Sequence, residues 1–518
     1  MDIVDGDRAP AGDRSTRDRR LAMRGFADLS GWGARSWWRP ELALTGLIGI
    51  YVAVFGWQTW IQQSNFGTFD FDMGVFDQEI WLAAHHLNPF VTVRGLNMWA
   101  NHVNPIAYLL VPFYWLGAGP HFLYLLQTVA LAGTAVPLWL LARDRFARPW
   151  LALGVPLAWL LYPAVEWMTW WPFQPEYLAT PAFVFAYWFA DRHRWIGYWV
   201  CVGLVLGTKE DAALAVIALG VVLVARRRVK MGLITVAVAV AWFLICLEVI
   251  IRIATPSATP FFLYQYSAFG SSTWQIIGNV VRRPWLIWDT VMRWSHVHYY
   301  LQMIAPTAFL ALLSPLTLLL VVPSFLVNAL NNQGYALQIR YQYTALIAPG
   351  LFIAVIEGVA RFRGPLTRAL RAPMIAALCA CALASNVVWS PSPLDASTYH
   401  SGIWSIDSSP RIRELAALIA RVPADANVTA TYTVVPHLTH RDRIFTWPNP
   451  WIRSYYGVSD TEPTEHPGIV NYLVLDLTEV SGASVQQLHQ LIGPGGPFRV
   501  LVNKDQALLA VRVRRRGG

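Results

Sequence analysis

The chain has 518 residues, 55% of them hydrophobic and 14% charged, with a mean hydropathy of +0.39 and a formal charge of +9. So apolar a composition excludes an ordinary soluble domain and fits a bundle of membrane spans. The charge does not select nucleic acid, because the basic residues form short clusters between apolar segments, as the positive-inside rule produces.

Residues 1–40 read as a basic cytoplasmic tail, with eight arginines from Arg8 to Arg39 and no apolar core of a signal peptide. The first span is 41–62, with basic residues before it and none soon after, so its C-terminal end faces outward. The loop 64–104 is then extracytoplasmic. It is too polar for lipid and carries Asp70, Asp72, Asp77, Glu79, His85, His86 and His102. A structureless loop of that length is uncommon unless it has a function. Within it, 71–87 reads as an amphipathic helix lying along the membrane interface, and 105–117 as a second interfacial helix.

The second span is 121–142, closed by Arg143, Arg145 and Arg148. Two spans fit between 150 and 190, joined by an outward loop that ends in FQPEY. Residues 195–225 must form a hairpin, because arginines flank both ends. Each arm has about 14 residues, or about 21 Å of helix, short of the ~30 Å hydrocarbon core. Its tip, Thr208-Lys209-Glu210-Asp211, therefore sits at membrane depth, where three charges mark function by default. Spans follow at 231–253, 300–313, 316–330, 342–360 and 373–390, eleven in all. Residues 391–518 then form a soluble extracytoplasmic α/β domain. Its helices are expected at 411–421 and 484–492, and its strands at 427–434, 472–477, 498–502 and 508–513. No GxGxxG and no P-loop follows its strands. The four cysteines (Cys201, Cys246, Cys379, Cys381) all lie in apolar segments and suggest no disulfide or thiolate metal site.

FDMGVFDQEIW, NHVNP, FQPEYLATP, TKED, RYQYTALIAP and VPHLTHRDRIFTWP together resemble a bacterial domain-of-unknown-function family of multi-pass membrane proteins. That family is grouped with the GT-C glycosyltransferases, and the similarity runs from about residue 45 to about 480. It implies a polytopic helical, GT-C-like membrane protein of the bacterial plasma membrane. The implied activity moves a sugar from a polyprenyl-phosphate donor to a cell-envelope glycan or glycolipid. By position, Asp72 resembles the family's catalytic aspartate. The family pattern has His where this chain has Gln174, which puts a divalent-cation requirement in doubt; no cofactor is certain.

Each candidate also has a plain alternative. Asp72 is either a general base or the cap of a helix starting at Met73. Asp70 shares its face if the backbone there is extended. Asp77 lies about 140° around a helix from Asp72 and reads first as a solvated side chain. Glu176 is either a helix-start carboxylate or, across from Asp72, a second acid or a metal ligand. His102 orders the loop, binds a metal or contacts the phosphate. Lys209 and Arg340 are the cations for a donor phosphate. Gln78, Glu210, Asp211, Gln174, Tyr341 and Tyr343 would support them. A transporter or flippase of a lipid-linked or polar solute is the alternative function, against which the lack of an inverted repeat counts.

Overall fold

The structure, a computed structural model, describes residues 39–255, 261–455 and 465–513. The basic tail before residue 39 lies outside that set. Helix α1 (Pro40–Ser64) leads into the first loop, which holds a π-helical turn (Asp70–Gly74) and helix α2 (Val75–Ala84). A two-residue hairpin follows, β1 (Phe90–Val91) with β2 (Leu96–Asn97). Then come α3 (Pro120–Phe146), a pair bent by 50° (Pro149–Leu160 and Pro163–Trp170), and α4 (Glu176–Asp191). The expected hairpin is α5 (Trp195–Leu206) with α6 (Ala212–Ala225), and α7 (Val229–Ala254) follows it. After α8 (Thr273–Arg282) the chain reaches α9 (Val322–Leu330), α10 (Gln342–Ala360) and α11 (Thr367–Trp389).

Among the described residues, α1, α3, α7, α10 and α11 are long and apolar enough to cross a membrane, and the bent pair adds a sixth at most. The expected spans at 300–313 and 316–330 are instead short helical pieces. Pro306, Pro315 and Pro323 account for the breaks, since each removes a backbone donor and clashes with the preceding turn.

The basic clusters meet at one end of the bundle. Arg145 pairs with Asp191 and Glu357 at 2.8 Å, and Arg226 with Glu357 at 3.3 Å. Tyr187 donates to the same Glu357 at 2.8 Å. This network ties α3, α4, α6 and α10 together.

Helices α6 and α7 touch backbone to backbone through two glycines. A Cβ on Gly232 would stand 2.6 Å from the Gly220 carbonyl oxygen, and one on Gly220 would stand 2.8 Å from that of Gly232. No side chain can move aside there, so Gly232→Val should cost about 3 kcal/mol, the upper end of overpacking penalties. Gly203→Val, in open space, is the control. Equal melting temperatures of the two purified variants would refute the close crossing.

The C-terminal segment builds a five-stranded sheet in the order β4-β3-β5-β7-β6. Its strands are β3 (Val428–Ala430), β4 (Ile444–Thr446), β5 (Tyr472–Asp476), β6 (Phe498–Lys504) and β7 (Ala507–Arg512). β3 runs parallel to β4 and β5, whereas β7 is antiparallel to β5 and β6. Helices Pro410–Ile419 and Ala483–Ile492 fall close to expectation. β3 is shorter than expected because the chain turns at Thr431–Val435. β4 was not expected at all; its three residues are too few for an alternation to register.

One face of the sheet packs within the segment, through Phe445, Leu473, Leu488 and Phe498; the other face is shared. Val428, Ala430, Ile444, Val474 and Leu509 share one apolar cluster with Val75, Leu82, Val91 and Met98 of the first loop. The opposite face of α2, through Phe76 and Ile80, packs on Leu110, Tyr114, Leu123 and Phe173. Helix α2 is therefore enclosed on both sides rather than lying on a lipid surface. The segment expected as a second interfacial helix is a 3-10 turn (Pro105–Leu109) followed by one short helical turn, Val111–Tyr114.

Candidate functional site

The π-helical turn decides where the first loop's acids point. Asp72 lies inside that turn and caps nothing; the residue before the turn, Phe69, makes no side-chain cap either. The backbone is coiled there rather than extended, so Asp70 and Asp72 do not share a face. Asp70 turns to the C-terminal sheet, where Thr446 donates to it. Burial pushes its carboxyl up to about 8, so it is a neutral acid at pH 7. Asp77 also faces away from Asp72. It accepts from Tyr114 Oη at 2.6 Å and from Thr439, and stands 3.2 Å from His440 Nε2. Gln78 bridges Thr92 and the Val93 amide, at 2.9 and 3.1 Å. These side chains fasten α2 to its surroundings.

Asp72 instead opens onto a cavity of about 830 Å³. His102, Gln174, Lys209, Glu210 and Asp211 line the same space, as do Tyr341 and Tyr343. Residues from four separate stretches of sequence thus converge. Trp171 Nε1 donates to Asp72 Oδ2 at 2.8 Å. Burial raises the Asp72 carboxyl to about 6, against the lowering influence of Gln174 and Trp171.

The short arms of α5 and α6 place the charged tip against this cavity. Lys209 Nζ sits 2.9 Å from Glu176 Oε1 and 3.6 Å from Asp211 Oδ2. Glu176 begins α4, where the helix dipole favours its charge. Glu210 points elsewhere, accepting from His102 Nδ1 at 2.9 Å and from the Val103 amide at 3.0 Å. It thereby holds the end of the first loop to the hairpin tip.

Arg340 is not among the lining residues. It is exposed and lies over the rings of Trp167 and Trp170, at 4.7 and 5.3 Å from their centroids. A guanidinium gains from an aromatic face, and that contact turns it away from the chamber.

The walls divide by chemistry. Leu214, Phe243, Leu247, Ile277, Val281 and Leu326 form a long apolar part, contributed by α6, α7, α8 and α9. Aromatic rings crowd the Asp72 end, where Trp171 meets Tyr341 edge-on at 4.5 Å. Sequence reasoning missed Trp171, because among 26 tryptophans one ring carries no signal of its own. It also missed Tyr432, for which no sequence signal exists. The acids at the tip, by contrast, announced themselves by membrane depth.

Among the described residues, no group of three or more His, Cys, Asp or Glu side chains is arranged to hold a metal ion.

The chain shares its fold with ArnT from Cupriavidus metallidurans. The crystal structure of ArnT bound to undecaprenyl phosphate superposes with a TM-score of 0.51 at 12% identity, over 92% of this chain and 99% of that one. The apo structure of the same protein gives 0.53 at 13% identity, over 91% and 98%. No curated protein matches the chain in sequence. A family model described as "Predicted membrane protein (DUF2079)" matches residues 64–492, so the chain belongs to the DUF2079 family of membrane proteins.

Proposed function

We propose that this protein is a membrane glycosyltransferase that moves a sugar from a polyprenyl-phosphate carrier to a cell-envelope glycan or glycolipid on the outer face of the membrane. One observation carries the reading: Asp72 and Lys209 open onto a single chamber with an apolar arm and an aromatic end. The arm suits an isoprenoid chain, and ArnT, which has this fold, is known bound to undecaprenyl phosphate. Residues 391–518 would lie outside the membrane.

In the reaction, the acceptor hydroxyl attacks the anomeric carbon of the donor. The new C–O bond forms as the carbon–oxygen bond to phosphate breaks, and the hydroxyl proton passes to the Asp72 carboxylate. The Lys209 ammonium balances the charge left on the lipid phosphate, as a point charge already oriented by Glu176. His102, held through Glu210, is a second donor toward the phosphate. Arg340 could reach it only by leaving its tryptophans.

The test is transfer of radiolabelled sugar from bacterial polyprenyl-phosphate sugars by the full chain in proteoliposomes, against Asp72→Asn. Equal access to the chamber from both sides of the membrane, read by cysteine labelling, would favour a transporter instead. The base must be ionised to act, so activity should climb as pH rises through about 6 and level off above it. A profile flat from about pH 5 to about pH 7, roughly one unit either side of that value, would remove Asp72 as the base.

A further inference from the structure

Only one residue from beyond position 390 lines the chamber, among the described residues: Tyr432. It sits just past β3, in a turn where its flanking neighbour Thr431 is 1% exposed. Tyr432 is 43% exposed. An aromatic ring of that size left open beside a buried neighbour adds nothing to the sheet's own packing.

Its position is fixed closely to Asp72. The Asp70 amide donates to the Tyr432 carbonyl oxygen at 3.1 Å. The Tyr432 ring stacks on Phe69, with centroids 5.6 Å apart and planes 22° from parallel. Phe69 in turn contacts Trp171 at 5.3 Å, and Trp171 is the residue that bonds Asp72. On the sheet side, Glu479 accepts from both the amide and the hydroxyl of Thr433, at 3.2 and 2.6 Å, which holds the turn. Tyr432, Trp171 and Tyr341 thus give the polar end of the chamber several aromatic walls, while its other arm is aliphatic.

Aromatic faces and a neighbouring base are what a sugar ring requires. The ring's C–H face lies on the aromatic plane, and its hydroxyls find the polar groups around it. Resting on the glycosyltransferase reading, the geometry points to Tyr432 as the acceptor platform: the C-terminal sheet supplies the surface that seats an acceptor pyranose and presents one hydroxyl to Asp72. The sheet is then part of the site that selects the acceptor. Tyr432 is a positioning residue, since the proton goes to Asp72.

Saturation-transfer NMR on the full chain in nanodiscs tests this, with the methyl pyranosides of glucose, mannose, galactose and N-acetylglucosamine as probes. At least one probe should show signals from its ring C–H protons. Tyr432→Ala should weaken them about fivefold, in the range of one aromatic contact. Tyr432→Phe should keep them, and Tyr432→Leu, of similar bulk without a π face, should not. Silence from every probe, or equal signals with Ala or Leu in place, overturns the proposal. Undecaprenyl phosphate binding, followed by native mass spectrometry, should be the same in Tyr432→Ala as in the unaltered chain. Its loss in that variant would make the residue structural and overturn the platform. If the unaltered chain fails to bind this lipid while pyranoside signals still depend on Tyr432, the donor reading falls and the platform stands.

Discussion

Asp72→Asn should lower sugar transfer by a factor of about 10² to 10⁴, the usual contribution of a positioned general base. The amide keeps the shape of the carboxylate and its contact with Trp171, 2.8 Å away. Lipid binding should therefore persist, and the loss should fall on kcat rather than KM. Asp77→Asn serves as the comparison. Asp77 is a fully buried aspartate five positions along, committed to Tyr114, Thr439 and His440. Its variant should lose stability, with kcat per folded molecule retained. Full transfer by Asp72→Asn, or the same kcat loss in both variants, would end the mechanism.

Lys209→Ala should lose both the donor and part of the fold. Its ammonium is 10% exposed and its partner Glu176 9%, so removal leaves a carboxylate buried beside Asp211 with no cation. Breaking such a pair from one side costs about 3 to 5 kcal/mol. The pair's two roles separate in the double variant Lys209→Ala with Glu176→Gln. Without the orphaned charge, much of the melting temperature should return. Affinity for undecaprenyl phosphate should remain at least about tenfold down, as loss of one charge-assisted contact predicts. If the double variant binds that lipid normally, Lys209 is only a structural counter-ion.

Much of this arrangement could be read in the chain. The first loop stood out because acids directly after a span have no place in lipid, and the hairpin tip because its arms are too short to lift three charges clear of the bilayer. Both reach one chamber. What could not be read was the division of labour among Asp70, Asp72 and Asp77. A five-residue π turn sets it, and helical or extended periodicity assigns the wrong neighbours in such a turn. Arg340 misled for a related reason. A cation flanked by tyrosines looks placed for phosphate, yet Trp167 and Trp170, far away in sequence, compete for it. Tyr432 could not be found because its significance lies in what stands opposite, not in what stands beside it.

The apolar cluster common to the first loop and the C-terminal strands has a bearing on biosynthesis. Helix α2 leaves the ribosome early, with Val75 and Leu82 still lacking the partners that β3, β5 and β7 will bring. The turn that aims Asp72 is thus finished only when nearly the whole polypeptide has been made. On the proposed mechanism, catalytic competence would arrive last, and a chain cut short of these strands would lack the packing that backs the carboxylate's turn.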